Sequence, residues 1–351
     1  MKLTAYHLAG VVLILIAVLG TFSLPSLGYL WILLASVSVT MVLLDKLIPK
    51  LQAAGMTGAD ENKPGNPQIA EMGGIAVIAG FTAGALLAIL VLAILSFRAP
   101  SFNLVYFLAA IITIHSIAFM GIVDDFISMP QWLKAVLPLF AAIPLMVVGA
   151  AGSTIVHIPF IGAVQFGIIY IAVLIPVAVA VCSNLTNMLA GFNGMEAGMG
   201  IVIFSTLALL AASHGSTTML LVCLPMLGGL VGFLFFNWYP AKVFPGDVMN
   251  LTIGVAVATS VIIGNLQTAG MILMAPYILD FFIKAANRFP HTYQELRGGK
   301  LSPKSGAVKG LVHVVMKAAG RDGISEKGLT TVFMGLELFC ALVALALYYR
   351  F

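Results

Sequence analysis

Charge is scarce in this chain. Asp, Glu, Lys and Arg make up 9% of its 351 residues, against 61% hydrophobic residues and a mean hydropathy of +1.10. A soluble domain of this length needs a charged surface, so that class is excluded. Cysteine is scarce too. Cys182, Cys223 and Cys340 stand far apart, mostly inside apolar runs. Their spacing fits neither a metal motif nor a disulfide framework, and the odd count argues against full pairing. No internal repeat is evident, and no nucleic-acid partner is expected.

Long apolar runs take the place of charge. Windows of about 18 to 25 residues can each cross a bilayer as a helix. They fall near residues 5–22, 27–48, 72–97, 102–122, 132–150, 165–182, 195–213, 217–236, 247–264, 268–284 and 329–349. The expected fold is an all-α polytopic membrane protein of about 10–11 transmembrane helices, forming one integral membrane domain over 1–351. Ten spans remain if the first run, "LAGVVLILIAVLG" after Lys2, is a signal peptide, although no clear small-residue cleavage site follows it.

The net charge of +4 becomes informative once the charges are sorted by side. With eleven spans, the loops after the even-numbered spans share a side with the N-terminus. Of 17 Lys and Arg residues, only Arg98 and Arg350 fall on the other side. Positive charge marks the cytoplasmic face. The rich face is therefore expected to be cytoplasmic, at the plasma membrane if the cell is prokaryotic. Nearly all the acids share it; Glu337 alone sits well inside a span. Opposite loops such as "GTFSLPS" and "GNLQT" carry no acids and read as plain turns. Residues 285–328 form the one extramembrane segment with room for structure of its own. This cytoplasmic loop subdomain contains "GAVKGLVHVVMKAAGR", which reads as a short amphipathic helix lying at the interface.

Four polar constellations lie on the charged face. In "GIVDDFISMPQWLKAV", Asp124 and Asp125 end one span and Lys134 begins the next. Adjacent carboxylates repel unless a lysine or a metal ion lies near. In "CSNLTNMLAGFNGMEAG", Asn184 and Asn187 are three apart and share a helix face. The glycines that follow can turn backbone amides toward an anion at the start of the next helix, near Asn193. In "FNWYPAKVFPGDVMNL", Asp247 follows a Pro-Gly turn at a helix start, where capping alone could explain it. The fourth is the basic loop "NRFPHTYQELRGGK", with Arg288, His291, Arg297 and Lys300. Each has a structural explanation by itself: a solvated helix end, a capped connector, an N-cap, positive-inside bias. Together they assemble acids, amides and bases at helix mouths beside an apolar wall. That set suits a divalent ion, a diphosphate and a lipid, and so phosphoryl transfer at a membrane.

The motifs "NLTNMLAGFNGMEAG", "NWYPAKVFPGD", "GIVDDF" and "DENKPGNPQIAEMGG" resemble, in order over about residues 45–300, the polyprenyl-phosphate N-acetylhexosamine-1-phosphate transferases. Within that superfamily the chain is most similar to the archaeal and eukaryotic UDP-GlcNAc–dolichyl-phosphate GlcNAc-1-phosphotransferases. The bacterial muramoyl-pentapeptide branch typically has an Asp in the region of Ala190 and a histidine triplet in the late loop. The eukaryotic enzymes have an arginine-rich late loop, of which "NRFPHTY" is an imperfect counterpart. The resemblance implies Mg²⁺, with Mn²⁺ as a substitute, coordinated by Asn187 and Asp247. It implies that Lys134 holds the diphosphate, that Gly191 and Asn193 bind the uridine end, and that Asp124 and Asp125 lie near the acceptor phosphate. Glu71 and Asn184 are supporting residues; Arg288 and His291 face the sugar.

The implied reaction passes GlcNAc-1-phosphate from UDP-GlcNAc to a polyprenyl or dolichyl phosphate in the bilayer, releasing UMP. A phosphate monoester is largely dianionic at neutral pH, so alignment and charge neutralisation are the main tasks and direct in-line displacement is expected. A covalent aspartyl intermediate is the runner-up. Another UDP-N-acetylhexosamine or undecaprenyl phosphate are alternative substrates, and a homodimer is an open option. A secondary transporter or a lipid-binding scaffold is the competing class. A transporter's polar groups should lie near the midplane, whereas these sit at one edge.

Overall fold

Each apolar run folds as a helix because a chain in hydrocarbon must satisfy its backbone N–H and C=O groups internally. The computed structural model describes residues 4–94, 101–149, 152–158, 161–290, 294–320 and 322–349. The helices are α1 (Ala5–Ser23), α2 (Gly28–Ala53), α3 (Gly74–Ile94), α4 (Leu104–Ile127), α5 (Gln131–Ala141), α6 (Ile143–Gly149) and α7 (Ile175–Met188). They continue as α8 (Met195–Ser213), α9 (Thr217–Asn237), α10 (Gly246–Ile263), α11 (Gln267–Leu273), α12 (Ala275–Ala286), α13 (Leu311–Ala318) and α14 (Glu326–Tyr348). Among the described residues ten helical stretches are long and apolar enough to cross a membrane, and α11 with α12 makes an eleventh if counted as one bent span. The protein is a polytopic all-α membrane protein.

Local sequence sets several boundaries. Asn103 caps α4, its side-chain oxygen accepting from the Val105 and Tyr106 amides at 3.0 and 3.2 Å. Ser325 caps α14 through the Gly328 amide at 3.1 Å. One expected span is sharply bent, and a second is interrupted at a single residue. The 268–284 run bends by 62° between α11 and α12, just before Pro276. The 132–150 run divides into α5 and α6 just before Pro144. A proline supplies no N–H to the helix ladder, and its ring crowds the preceding turn. The 165–182 run also extends further than hydropathy suggests. A π-helical turn at Tyr170–Leu174 leads into α7, which continues to Met188 and so carries Asn184 and Asn187 within its last turns.

Among the described residues three antiparallel strand pairs interrupt the all-helical picture: β1 (Thr57–Ala59) with β2 (Gln68–Ala70), β3 (Ile155–Ile158) with β4 (Gly162–Gln165), and β5 (Gln294–Arg297) with β6 (Lys300–Pro303). The expectation of plain turns on the acid-poor side is thereby corrected, because β3 and β4 lie between α6 and α7. The segment read as an amphipathic helix folds in part as α13, shorter than the quoted stretch. Its buried residues Leu311, Val312, His313 and Met316 pack on the protein, and the Leu311 amide donates to Asp280 Oδ1 at 2.7 Å. Its apolar face thus covers the bundle end.

α10 is the central helix: every residue from Val248 to Val261 is buried, against α3, α4, α7 and α9. Its close approach to α7 requires glycine. A Cβ on Gly254 would lie 2.1 Å from the Cys182 carbonyl oxygen and 2.5 Å from Thr186 Oγ1. Because α10 lies at the centre, its N-terminus emerges in the middle of one bundle end. Inside the bundle, Glu337 of α14 is fully buried, and among the described residues neither carboxylate oxygen has a hydrogen-bond partner.

Candidate active site

The C-terminal ends of α4, α7, α9 and α12 and the N-terminal ends of α5, α8 and α10 meet at that one bundle end. There they enclose an open cavity of about 460 Å³. Its wall includes Asn187 and Met188 from α7, the 189–192 turn, Glu196, Asn237, Phe244–Asp247, Asn250 and Lys284. The loop before α3 adds Ala59–Asn62 and Glu71, and the late loop adds Gln294 and Val312. A backbone pairing joins the loop before α3 to the loop between α9 and α10: the Phe244 amide donates to the Ala70 carbonyl at 2.7 Å, and the Gly73 amide to the Phe244 carbonyl at 2.9 Å.

The turn before α10 aims Asp247 into this space. Gly246 has φ +70°, and a Cβ there would meet Asp125 Oδ2 at 2.5 Å, so the position needs glycine. Asp125, in the last turn of α4, caps α10 from outside: Oδ1 accepts from the Asp247 amide at 2.8 Å and Oδ2 from the Val248 amide at 3.3 Å. A carboxylate at a helix N-terminus is favoured by the exposed amides and the helix dipole. Lys134 lies behind Asp247, 3.0 Å from its Oδ2, and is also ion-paired with Asp124. Asp124 accepts from the Met129 amide at 2.7 Å, which fixes the α4–α5 turn. Asn184 donates to the Lys134 carbonyl at 3.2 Å, tying α7 to α5.

A second cluster shapes the opposite wall. Lys63 donates to Asn193 Oδ1 at 2.6 Å, is ion-paired with Asp60, and lies 3.2 Å from Glu326 Oε2. Asn193 Oδ1 also accepts from the Ala241 amide at 2.7 Å, while the Asn193 backbone N–H donates to Glu326 Oε1 at 2.8 Å. Asn62 donates to the Gly191 carbonyl at 3.0 Å and accepts from Gln294 at 2.5 Å, joining three loops over the cavity. Glu71 stands at the rim, and burial of part of its surroundings pushes its carboxyl above the usual range.

Five of the sequence-derived candidates line the cavity together: Glu71, Asp125, Asn187, Gly191 and Asp247. Asp124, Lys134 and Asn184 stand behind this wall as its support. Asn193 is 2% exposed, and its side chain is engaged in the Lys63 cluster, outside the lining. Arg288 is exposed just beyond α12 and does not line the cavity. His291 lies outside the described residues. Sequence reasoning missed Asn62, Asn237, Asn250, Lys284 and Gln294 as wall residues, and counted Asp60, Glu61 and Lys63 only for their charge. Asn250 had a readable signal, three residues after Asp247 on one helix face. Gln294 and Asn62 had none, being 232 positions apart in the chain.

The profile of glycosyl transferase family 4 matches residues 107–265, the stretch from α4 to Asn265 that holds Asp124, Asp125, Lys134, Asn187 and Asp247. A protein of Saccharolobus solfataricus is 36% identical over 309 residues, covering 86% of this chain and 91% of the relative. The chain belongs to glycosyl transferase family 4. A Dictyostelium discoideum member named UDP-N-acetylglucosamine–dolichyl-phosphate N-acetylglucosaminephosphotransferase is 27% identical, covering 93% of this chain and 91% of its own length. The Saccharolobus relative bears the same name provisionally. A phospho-N-acetylmuramoyl-pentapeptide-transferase of Geobacillus is 34% identical over 129 residues, 36% of this family 4 chain and 40% of the relative. As an enzyme family, these proteins transfer sugar-1-phosphate groups.

Proposed function

We propose that the protein transfers GlcNAc-1-phosphate from UDP-GlcNAc to a membrane polyprenyl phosphate of the dolichyl type, making GlcNAc-diphosphate-lipid and UMP. The observation that carries this reading is the meeting of Asn187 and Asp247, from separate helices, in one cavity at the bundle end. The long relatives with that name support the substrates. The excess of Lys and Arg around the same end supports a cytoplasmic site.

The cavity is electronegative. Its described wall carries Asp60, Glu61, Glu71, Asp125, Glu196 and Asp247, and Lys284 is its one described Lys or Arg. Two phosphorylated substrates would be repelled by such a wall, and a divalent cation would relieve that repulsion. The donor set fits Mg²⁺, which takes one or two carboxylates and completes its shell with water and substrate phosphate. Asp247 and Asn187 would hold it, and when bound it would neutralise the diphosphate and polarise the phosphorus under attack. The chain's own residues do the rest. Lys134 holds Asp247 in place and offsets phosphate charge. Asp125 fixes the start of α10. Asn62 and the Gly191 turn form the wall against which the nucleotide is aligned. An oxygen of the lipid phosphate attacks the β-phosphorus, and UMP leaves with the electrons of the broken phosphoanhydride bond.

Direct displacement is favoured over an aspartyl intermediate by the state of the paired acids. Asp124 is bound to Lys134 and the Met129 amide with its side chain 1% exposed, and both oxygens of Asp125 accept backbone amides. Neither offers a free nucleophilic oxygen. Purified protein given labelled UDP-GlcNAc and dolichyl phosphate with Mg²⁺ should release UMP and label the lipid. Asp247→Ala or a chelator should abolish both. Full transfer by Asp247→Ala would refute the site.

A further inference from the structure

Two side chains of α10 face the cavity from successive turns. Asp247 and Asn250 are separated by three residues, the spacing that stacks side chains on one helical face. Both line the wall that Asn187 enters from α7. The approach is enforced by backbone contacts: Gly254 lets α10 touch the Cys182 carbonyl, and Thr186 Oγ1 donates to the Asn250 carbonyl at 2.7 Å. Across this clasp Asn250 Nδ2 donates to Asn187 Oδ1 at 3.3 Å, which orients both amides. The opposite rotamer of Asn250 would set two oxygens against each other.

That orientation leaves one atom unexplained. Asn250 is 6% exposed, and among the described residues its Oδ1 is buried with no hydrogen-bond partner. An orphaned buried acceptor costs about 1–3 kcal/mol. An aliphatic side chain at this site would avoid that cost. The side chain that carries this oxygen borders a cavity already lined by a carboxylate and a second amide, whose oxygens suit a hard cation.

We infer that Asn250 is a third protein ligand of the divalent cation, completing with Asp247 and Asn187 a set of one carboxylate and two neutral oxygens. The inference rests on the metal-dependent reading above and adds a ligand to it. Two neutral donors leave the bound cation with net positive charge from its protein ligands, which draws the diphosphate onto it. A second carboxylate at 250 would hold the metal more tightly and the nucleotide less so.

Mn²⁺ titration followed by the loss of the free-ion paramagnetic resonance signal tests this on the full-length protein in nanodiscs, independently of turnover. Wild type and Asn250→Ala, Asn250→Asp and Asp247→Ala variants are compared. Asn250→Ala should bind Mn²⁺ roughly 10-fold or more weakly. Asn250→Asp should regain or exceed wild-type affinity while raising the KM for UDP-GlcNAc. Equal affinity in wild type and Asn250→Ala would overturn the inference and leave the transferase reading intact. Asn250→Asp as weak as Asn250→Ala would overturn it too, because the role would then be structural. A wild type that binds no Mn²⁺ would remove both. Lack of transfer with the Mn²⁺ pattern as expected would remove the transferase reading and keep the ligand.

Discussion

Replacing Lys134 by methionine keeps the aliphatic stem and deletes the charge between two acids. Lys134 is 13% exposed, Asp124 1% and Asp247 26%. Breaking a buried ion pair by removing one partner costs about 3–5 kcal/mol, because the remaining charge stays buried. Asp247 borders the cavity, where water can relieve it, so the penalty falls mainly on Asp124. The expected destabilisation is at the lower end, about 3 kcal/mol. Adding Asp124→Asn removes the stranded charge and keeps an oxygen for the Met129 amide. The double variant should therefore lose only about 1 kcal/mol, so that Asp124→Asn restores about 2 kcal/mol to Lys134→Met. Reversible unfolding in mixed micelles, followed by tryptophan fluorescence, measures all three proteins. Lys134→Met within about 0.5 kcal/mol of wild type, or a double variant no more stable than Lys134→Met, would refute the buried-pair reasoning. Transfer should be lost in both variants, so stability and not turnover decides the point.

Gly254→Ala drives a methyl group into the Cys182 carbonyl, 2.1 Å away. It should cost about 1–3 kcal/mol in thermal unfolding and weaken Mn²⁺ binding by parting α7 from α10. Lys63→Met strands Asp60 and Glu326, which are 2% and 3% exposed, and frees Asn193. Steady-state kinetics should show the KM for UDP-GlcNAc rising more than kcat falls, with a stability loss of about 3 kcal/mol. Glu71→Gln tests the raised carboxyl at the rim. The folded state there binds a proton more tightly than the unfolded state, so ionisation costs stability above the raised value. Melting temperatures of wild type and variant should coincide near pH 4 and separate as pH rises toward neutrality, with the variant the more stable.

The helical spans were legible because hydrocarbon permits so few backbone solutions that length and apolarity suffice. Where prolines broke a span, as at Pro276, the run of apolar residues continued across the break and concealed it. β3 and β4 escaped notice because four-residue strands carry little periodicity. At the site, Asp247 and Asn187 could be picked out because polar residues at helix mouths are conspicuous in an apolar chain. Asn193 was conspicuous for the same reason. Its motif is polar and glycine-flanked, but its side chain holds Lys63, the Ala241 amide and the 57–70 loop together instead of facing the cavity.

By itself the sequence determined the membrane class, the side on which the polar groups gather and the family of reaction, since all three follow from composition and local order. The tertiary structure alone decided which of those groups meet. The burial of α10, the clasp at Gly254 and the span from Asn62 to Gln294 depend on contacts between residues far apart in the chain, and no local pattern encodes a distance across a bundle. The unpaired oxygen of Asn250 belongs to the same class. It is ordinary in the sequence and acquires meaning only from what surrounds it.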